Sequence, residues 1–119
     1  MNNPGLTRSF KAETATTAYH VAALGSADYQ TALAGAATDA LIGTYTDVDN
    51  AIGDDADVVL GGMPLVKLGG TVARGDRLTS DADGQAVAAA TTNNYFGTVL
   101  VSGVAGDIVP YLHGLGVMP

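Results

Sequence analysis

Short apolar runs separated by glycine- and aspartate-bearing breaks make up most of the chain. Between Gly61 and Ala90 the runs are only a few residues long, and Gly69-Gly70, Gly75-Asp76 and Asp83-Gly84 punctuate them. Such residues supply the positive φ or side-chain-capped geometry of tight turns, and no helix persists through them at this density. The same breaks return at Gly53-Asp54, ahead of Val58-Val59-Leu60, and at Gly106-Asp107, ahead of Ile108-Val109. Short strands with tight returns predict an all-β domain: a small β-barrel or a β-tulip-like sandwich.

The pattern places strands at 16–23, 41–46, 57–61, 64–68, 77–79, 85–90, 95–102 and 107–112. Residues 28–40 read as a strand followed by a short turn: their alanines permit helix, but Tyr29, Thr31 and Gly35 oppose it. In residues 95–102, Phe96, Thr98, Leu100 and Ser102 share one face and Tyr95, Gly97, Val99 and Val101 the other, as in a strand covered on both sides. Residues 1–15 carry the isolated apolar anchors Leu6 and Phe10 in polar surroundings, which predicts an extended N-terminal arm. The barrel domain then spans 16–112. Residues 113–119 are too glycine-rich to form an element alone and read as a C-terminal tail. No long exact repeat is visible, so the three Gly-Asp returns read as recurrent turn chemistry and not as repeat units.

The 119 residues suit one domain able to bury roughly 65% of its unfolded surface. The absence of cysteine excludes disulfides and thiolate metal sites. Net charge is −7, and every acid but Glu13 is aspartate, a residue of turns and strand ends. Five basic side chains do not make a nucleic-acid footprint, so no direct nucleic-acid binding is expected. Met1-Asn2-Asn3-Pro4-Gly5 lacks the basic and apolar regions of a leader, and no apolar run approaches the ~20 residues of a membrane span. No membrane partner is expected. Charged residues are only 14% of the chain, which leaves a weakly polar surface of the kind that meets other proteins.

Candidate chemistry is sparse. Arg74-Gly75-Asp76 spells an adhesion tripeptide, but Gly75-Asp76 has a sufficient role as a turn. Asp81-Ala82-Asp83-Gly84 opens like a calcium loop without the closing glutamate, and it reads as a hairpin turn. Asp47, Asp49, Asp54, Asp55 and Asp57 form a solvated acidic loop. His20 and His113 have no ligand spacing, and Ser26 misses the nucleophile-elbow pattern because Asp28 stands where a glycine belongs. No cofactor, metal site or catalytic constellation is expected, and the chain does not read as an enzyme.

The ordered set Ala37-Thr38-Asp39-Ala40-Leu41-Ile42-Gly43-Thr44-Tyr45, Gly53 to Gly62, Val66 to Val72, Gly75-Asp76-Arg77-Leu78-Thr79-Ser80-Asp81 through Gly84 to Val87, Phe96-Gly97-Thr98-Val99-Leu100 and Ala105-Gly106-Asp107-Ile108-Val109 resembles the tailed-bacteriophage capsid cement, or head decoration, proteins. Each piece alone is weak; their order and spacing carry the likeness across most of the chain. The resemblance implies a structural virion protein on the outer surface of a phage head, made in the host cytoplasm, that clamps neighbouring major capsid protein subunits. It implies self-association as homotrimers, with dimers at twofold positions as the alternative. On that reading Leu6 and Phe10 plug into the shell or a sister subunit, and Leu115, Val117 and Met118 lie in the oligomer interface. The rival readings are another virion or tail-associated β domain and a carbohydrate-binding module. The second would need clustered aromatic platforms, whereas Tyr19, Tyr29, Tyr45, Tyr95 and Tyr111 are spread along the chain and Trp is absent.

Overall fold

A computed structural model describes residues 7–119 and is all-β. The first half of the chain forms β1 (Thr7–Ala12), β2 (Val21–Leu24), β3 (Gln30–Leu33), β4 (Leu41–Tyr45) and β5 (Asp55–Val59), closed into a barrel in the order β1-β3-β2-β4-β5. The second half forms β6 (Leu65–Lys67), β7 (Arg77–Ser80), β8 (Ala86–Ala88), β9 (Asn94–Val99) and β10 (Ile108–Val117), a five-stranded sheet in the order β6-β10-β9-β7-β8.

The two halves share one strand-pairing scheme. β1 pairs with β5 as β6 pairs with β10, with Lys11 opposite Asp55 and Lys67 opposite Ile108. β2 pairs with β4 as β7 pairs with β9, with Ala22 opposite Gly43 and Leu78 opposite Gly97. Tyr45 opposes Val58 where Val99 opposes Tyr111. The parallel β1–β3 seam that closes the first barrel survives in the second half as one parallel bridge, Leu68 to Ala86. Single hydrogen bonds correspond as well. Ala12 donates to the Asp54 carbonyl and Leu68 to that of Asp107, both at 2.8 Å, and the Thr16–Asn50 bridge has its counterpart in Val72–Gly103.

The Gly-Asp returns belong to this duplication. In Ala51–Asp54, Ala73–Asp76 and Val104–Asp107 the aspartate carboxylate accepts the N–H three residues earlier, at 3.1, 2.9 and 3.0 Å. Gly53, Gly75 and Gly106 hold φ of 88, 95 and 94°. A fourth copy precedes β2, with Tyr19 at φ 62° in the glycine position. The expectation that these returns are not repeat units is therefore corrected: those at Gly53 and Gly106 are the same corner of two repeats, and the one at Gly75 is the second-repeat counterpart of the Tyr19 corner. Sequence comparison misses it because the flanking side chains differ.

Close approach fixes two further glycines. A Cβ on Gly43 would run into the Val59 carbonyl oxygen, and one on its counterpart Gly97 into the Tyr111 ring and, at 2.6 Å, the Leu112 carbonyl oxygen. Val59 and Leu112 are themselves counterparts. Each barrel wall crowds its neighbour at the same point, and only glycine fits.

The interiors correspond too. Ala12, Ala22, Tyr45, Ala56 and Val58 form the core of the first repeat, with Phe10, Leu33, Ile42 and Leu60 packed against it. Leu68, Leu78, Val99, Val109 and Tyr111 take the equivalent places in the second, in a cluster that also includes Val21, Ala23, Ala34 and Leu41 of the first. Tyr111 donates to or accepts from Thr44 across the halves at 2.9 Å, fully buried, so the halves share one continuous core.

Several sequence expectations change. Residues 7–12 are not an arm but β1, which closes the first barrel; an alternating exposed and inward pattern around one anchor is enough when both neighbours pair with it. Leu6 lies outside the described residues. The strand expected over 16–23 is a bridge at Thr16, a turn, and then β2. The glycine-rich tail is the second half of β10, stabilised by pairing with β9 out to Val117 opposite Asn94. Gly69 and Gly70 do not adopt positive φ; a Cβ on Gly69 would strike the Asp81 carboxylate. In the β7–β8 turn Gly84 has φ 76°, but Asp81, not Asp83, organises the loop by accepting the N–H groups of Asp83 and Gln85, both at 2.9 Å.

Candidate interaction surface

β10 is the longest strand, and its outward positions are apolar. Ile108, Leu112, Leu115 and Val117 are all about half or more exposed, whereas Val109 and Tyr111 point into the core. Strict alternation from Leu112 would put Leu115 and Val117 on the inner side. An extra residue in β10 between His113 and Gly116 resets the phase, so that Leu112 opposes Thr98 and Val117 opposes Asn94, positions of β9 with even spacing. The bulge thus keeps Leu112 and Val117 on one face.

The end of this strand is held firmly. His113 Nε2 lies 2.9 Å from the Ile42 carbonyl oxygen, and Met118 exchanges backbone hydrogen bonds with Thr92 and Asn93 at 3.1 and 2.8 Å. Leu112, Leu115 and Val117 are exposed along this stretch, with Ile108 at its other end, while Met118 next to Val117 is half-buried; Ile108 and Leu112 have no site role in the sequence analysis. The signal was available: in Ile108-Val109-Pro110-Tyr111-Leu112 both alternate sets are apolar, and a half-covered strand needs only one. Phe10 is elsewhere, half-buried against the first-repeat core.

A second exposed region is the β2–β3 loop. Leu24, Gly25, Ser26, Ala27, Asp28 and Tyr29 line an open notch of about 450 Å³. Tyr29 has φ 57° and is 67% exposed, with the Arg8 guanidinium 5.0 Å from its ring centroid. Glu13 braces the loop by accepting from the Ser26 N–H at 2.8 Å and from its hydroxyl, and these bonds hold its carboxyl below the usual carboxylate range.

The residues screened for chemistry are occupied by structure. Asp76 caps its own turn within the adhesion-like tripeptide. Of the acidic residues expected in one loop, Asp49 accepts from Ala18 N–H at 2.7 Å, while Asp55 and Asp57 lie in β5, Asp57 accepting from the Ser9 hydroxyl at 2.5 Å and Asp55 pairing with Lys11 at 3.2 Å. Among the described residues no three His, Asp or Glu side chains are grouped to hold a metal ion. His20 is buried with Nδ1 2.9 Å from the Ala18 carbonyl oxygen. Tyr45 and Tyr111 are interior, hydrogen bonded to Thr31 and Thr44; burial pushes Tyr45 up to about 12 and raises Tyr111 further.

No protein-family model matches the chain, and no curated protein matches it. Among solved structures, the chain is similar in fold to the N base of head fiber gp8.5 of bacteriophage phi29, at a TM-score of 0.69 and 22% identity over 92% of this chain and 93% of that one.

Proposed function

We propose that this chain is a structural protein of a phage virion that binds the outer surface of the head and cements neighbouring major capsid protein subunits. The observation that carries the reading is the fold match to a head fiber base, which covers both chains almost end to end. Residues 7–119 supply a closed barrel joined to a second sheet, no grouped metal ligands and a firmly braced strand with apolar outward positions, which suits a docking role better than a chemical one. In this reading Ile108, Leu112, Leu115, Val117 and Met118 form the contact edge, toward the shell or a sister subunit in a homotrimer. Phe10 contributes mainly to the barrel wall.

The stabilisation would act by mass action. A protein that binds only the expanded shell adds RT ln(1 + L/Kd) per site, L being its free concentration, and many weak sites sum over one particle. Cryo-electron microscopy of purified heads with and without this protein tests the reading. Surface knobs that vanish on deletion of the gene are the expected result. Density at the tail, or an unchanged shell, overturns it and leaves the tail-domain or glycan-binding readings. A further arm uses Leu112→Asp with Val117→Asp, which is expected to abolish head occupancy while the protein stays folded by circular dichroism.

A further inference from the structure

The hairpin contact between the two repeats is one-sided. The tip of the β7–β8 hairpin of the second repeat sits on the open base of the β2–β3 hairpin of the first: the Gly84 carbonyl accepts from Val21 N–H at 2.7 Å, and Gly84 is buried beside Leu33 and Ala34. No backbone hydrogen bond joins the corresponding tip of the first repeat, residues 25–30, to the second. Counterparts make the contrast plain. Ser80 and Gly84 are buried, while Leu24 and Tyr29 in the same places are 53% and 67% exposed. The base of the β7–β8 hairpin, where Arg77, Ala88 and Ala90 stand in the region of Val21, Leu33 and the segment after Ala34, is exposed as well.

We propose that these two free ends are the halves of one interface, and that the β2–β3 tip of one copy docks on the β7–β8 base of a second copy, head to tail. The sizes are complementary in the manner of the internal contact, with the roles exchanged. Inside the chain a tip without a side chain, Gly84, meets a bulky base residue, Leu33. Between copies a bulky tip, Tyr29, meets a base of small residues, Ala88 to Ala90. Asp28 adjoins the tip, beside the Arg8 that stands on Tyr29, and Arg77, its guanidinium 4.8 Å from the Tyr95 ring centroid, stands where the internal contact has Val21; Asp28 and Arg77 are both exposed and of opposite charge. Tyrosine in the left-handed region costs about 1 kcal/mol or more, and its counterpart Gly84 avoids that cost. Arg8 stands over the Tyr29 ring, yet the residue is still largely exposed, so a strained aromatic keeps surface free for a contact. Such a contact is heterologous, so it builds a ring when its rotation closes. The inference concerns the isolated chain and does not depend on head binding.

The chain has no native cysteine, so disulfide trapping reads the contact directly. Purified Tyr29→Cys protein is mixed with Ala88→Cys protein and oxidised with copper phenanthroline, beside a control pair of Tyr29→Cys and Ala105→Cys. Faster cross-linking of the first pair, by about tenfold, is expected. Sedimentation equilibrium supplies the second reading: Tyr29→Ala and Ala88→Arg, both at exposed positions, are each expected to weaken self-association about tenfold, a change of roughly 1.4 kcal/mol. Cross-linking no faster than the control, or a native chain that sediments as a monomer at about 100 μM, overturns the proposal. Failure of head binding alone would leave these outcomes unchanged.

Discussion

The first repeat fills its barrel with three alanines, one valine and Tyr45; the second puts two leucines, two valines and Tyr111 at the same positions. The tyrosine enters from β4 in one and from β10 in the other, opposite a valine each time. What the two interiors share is not side-chain identity but total filling within a common backbone frame, as expected where packing density is the constraint. The frame itself is held by elements that do not vary: Gly43 and Gly97, and the aspartate-capped corners at Gly53 and Gly106. Where the repeats differ at a corner, Tyr19 replaces Gly75 and Tyr29 replaces Gly84, and both tyrosines accept a left-handed backbone.

The comparison breaks most sharply at the paired glycines. Gly43→Ala and Gly97→Ala each force a Cβ into backbone carbonyl oxygen that cannot move without parting two strands. Each is expected to lose roughly 3 kcal/mol, a large part of a domain's stability, in urea unfolding followed by circular dichroism. Equal losses in the two variants would support a frame shared by both repeats; a neutral Gly97→Ala would contradict it.

The exchanged tyrosines come next. Tyr45→Val leaves a cavity in the alanine-rich barrel and is expected to cost about 2–4 kcal/mol by the same measurement. pH adds a signature. Burial raises Tyr45 from 10.0 to about 12 and Tyr111 further, because the ionised phenol is excluded from the core. Above pH 10 the unfolded chain therefore releases phenol protons that the folded chain retains, and stability falls as pH rises through the window up to about 12. Below pH 10 this contribution is intact. Unfolding midpoints measured from pH 8 to 12 should show the fall, and Tyr45→Phe with Tyr111→Phe should flatten it.

The smallest effects sharpen the comparison. The Thr16 and Thr79 hydroxyls are buried without a partner, and the other repeat has apolar Val72 and Ala23 at those places. Borrowing the counterpart, Thr16→Val and Thr79→Ala should each raise stability by about 0.5–1 kcal/mol, since an unsatisfied buried hydroxyl is removed. Calorimetric melting temperatures would register the gain, and a decrease in both would show that the two environments are not equivalent.

The turns and most strands were legible because their signals are local. Gly53-Asp54, Gly75-Asp76 and Gly106-Asp107 each carry the φ freedom and the capping carboxylate of the corner they make. β1 was not legible, since one half-buried phenylalanine in a polar segment looks like an arm until β3 and β5 are beside it. The second half of β10 was hidden for a like reason, its glycines being tolerable only within a paired ladder. Of the proposed contact surface, Leu115, Val117 and Met118 could be picked out as apolar side chains in a tail, but the bulge that aligns Val117 with Leu112 could not.

By itself the sequence determined an all-β chain with corners at particular glycines and aspartates, because backbone dihedral preferences act over a few residues. Only the tertiary structure decided that these corners belong to two repeats with corresponding strand pairings, that the repeats share a core, and that one hairpin tip is buried while its twin is exposed. Those outcomes depend on which strands meet across the whole chain and on how differing side-chain volumes add up to equivalent interiors.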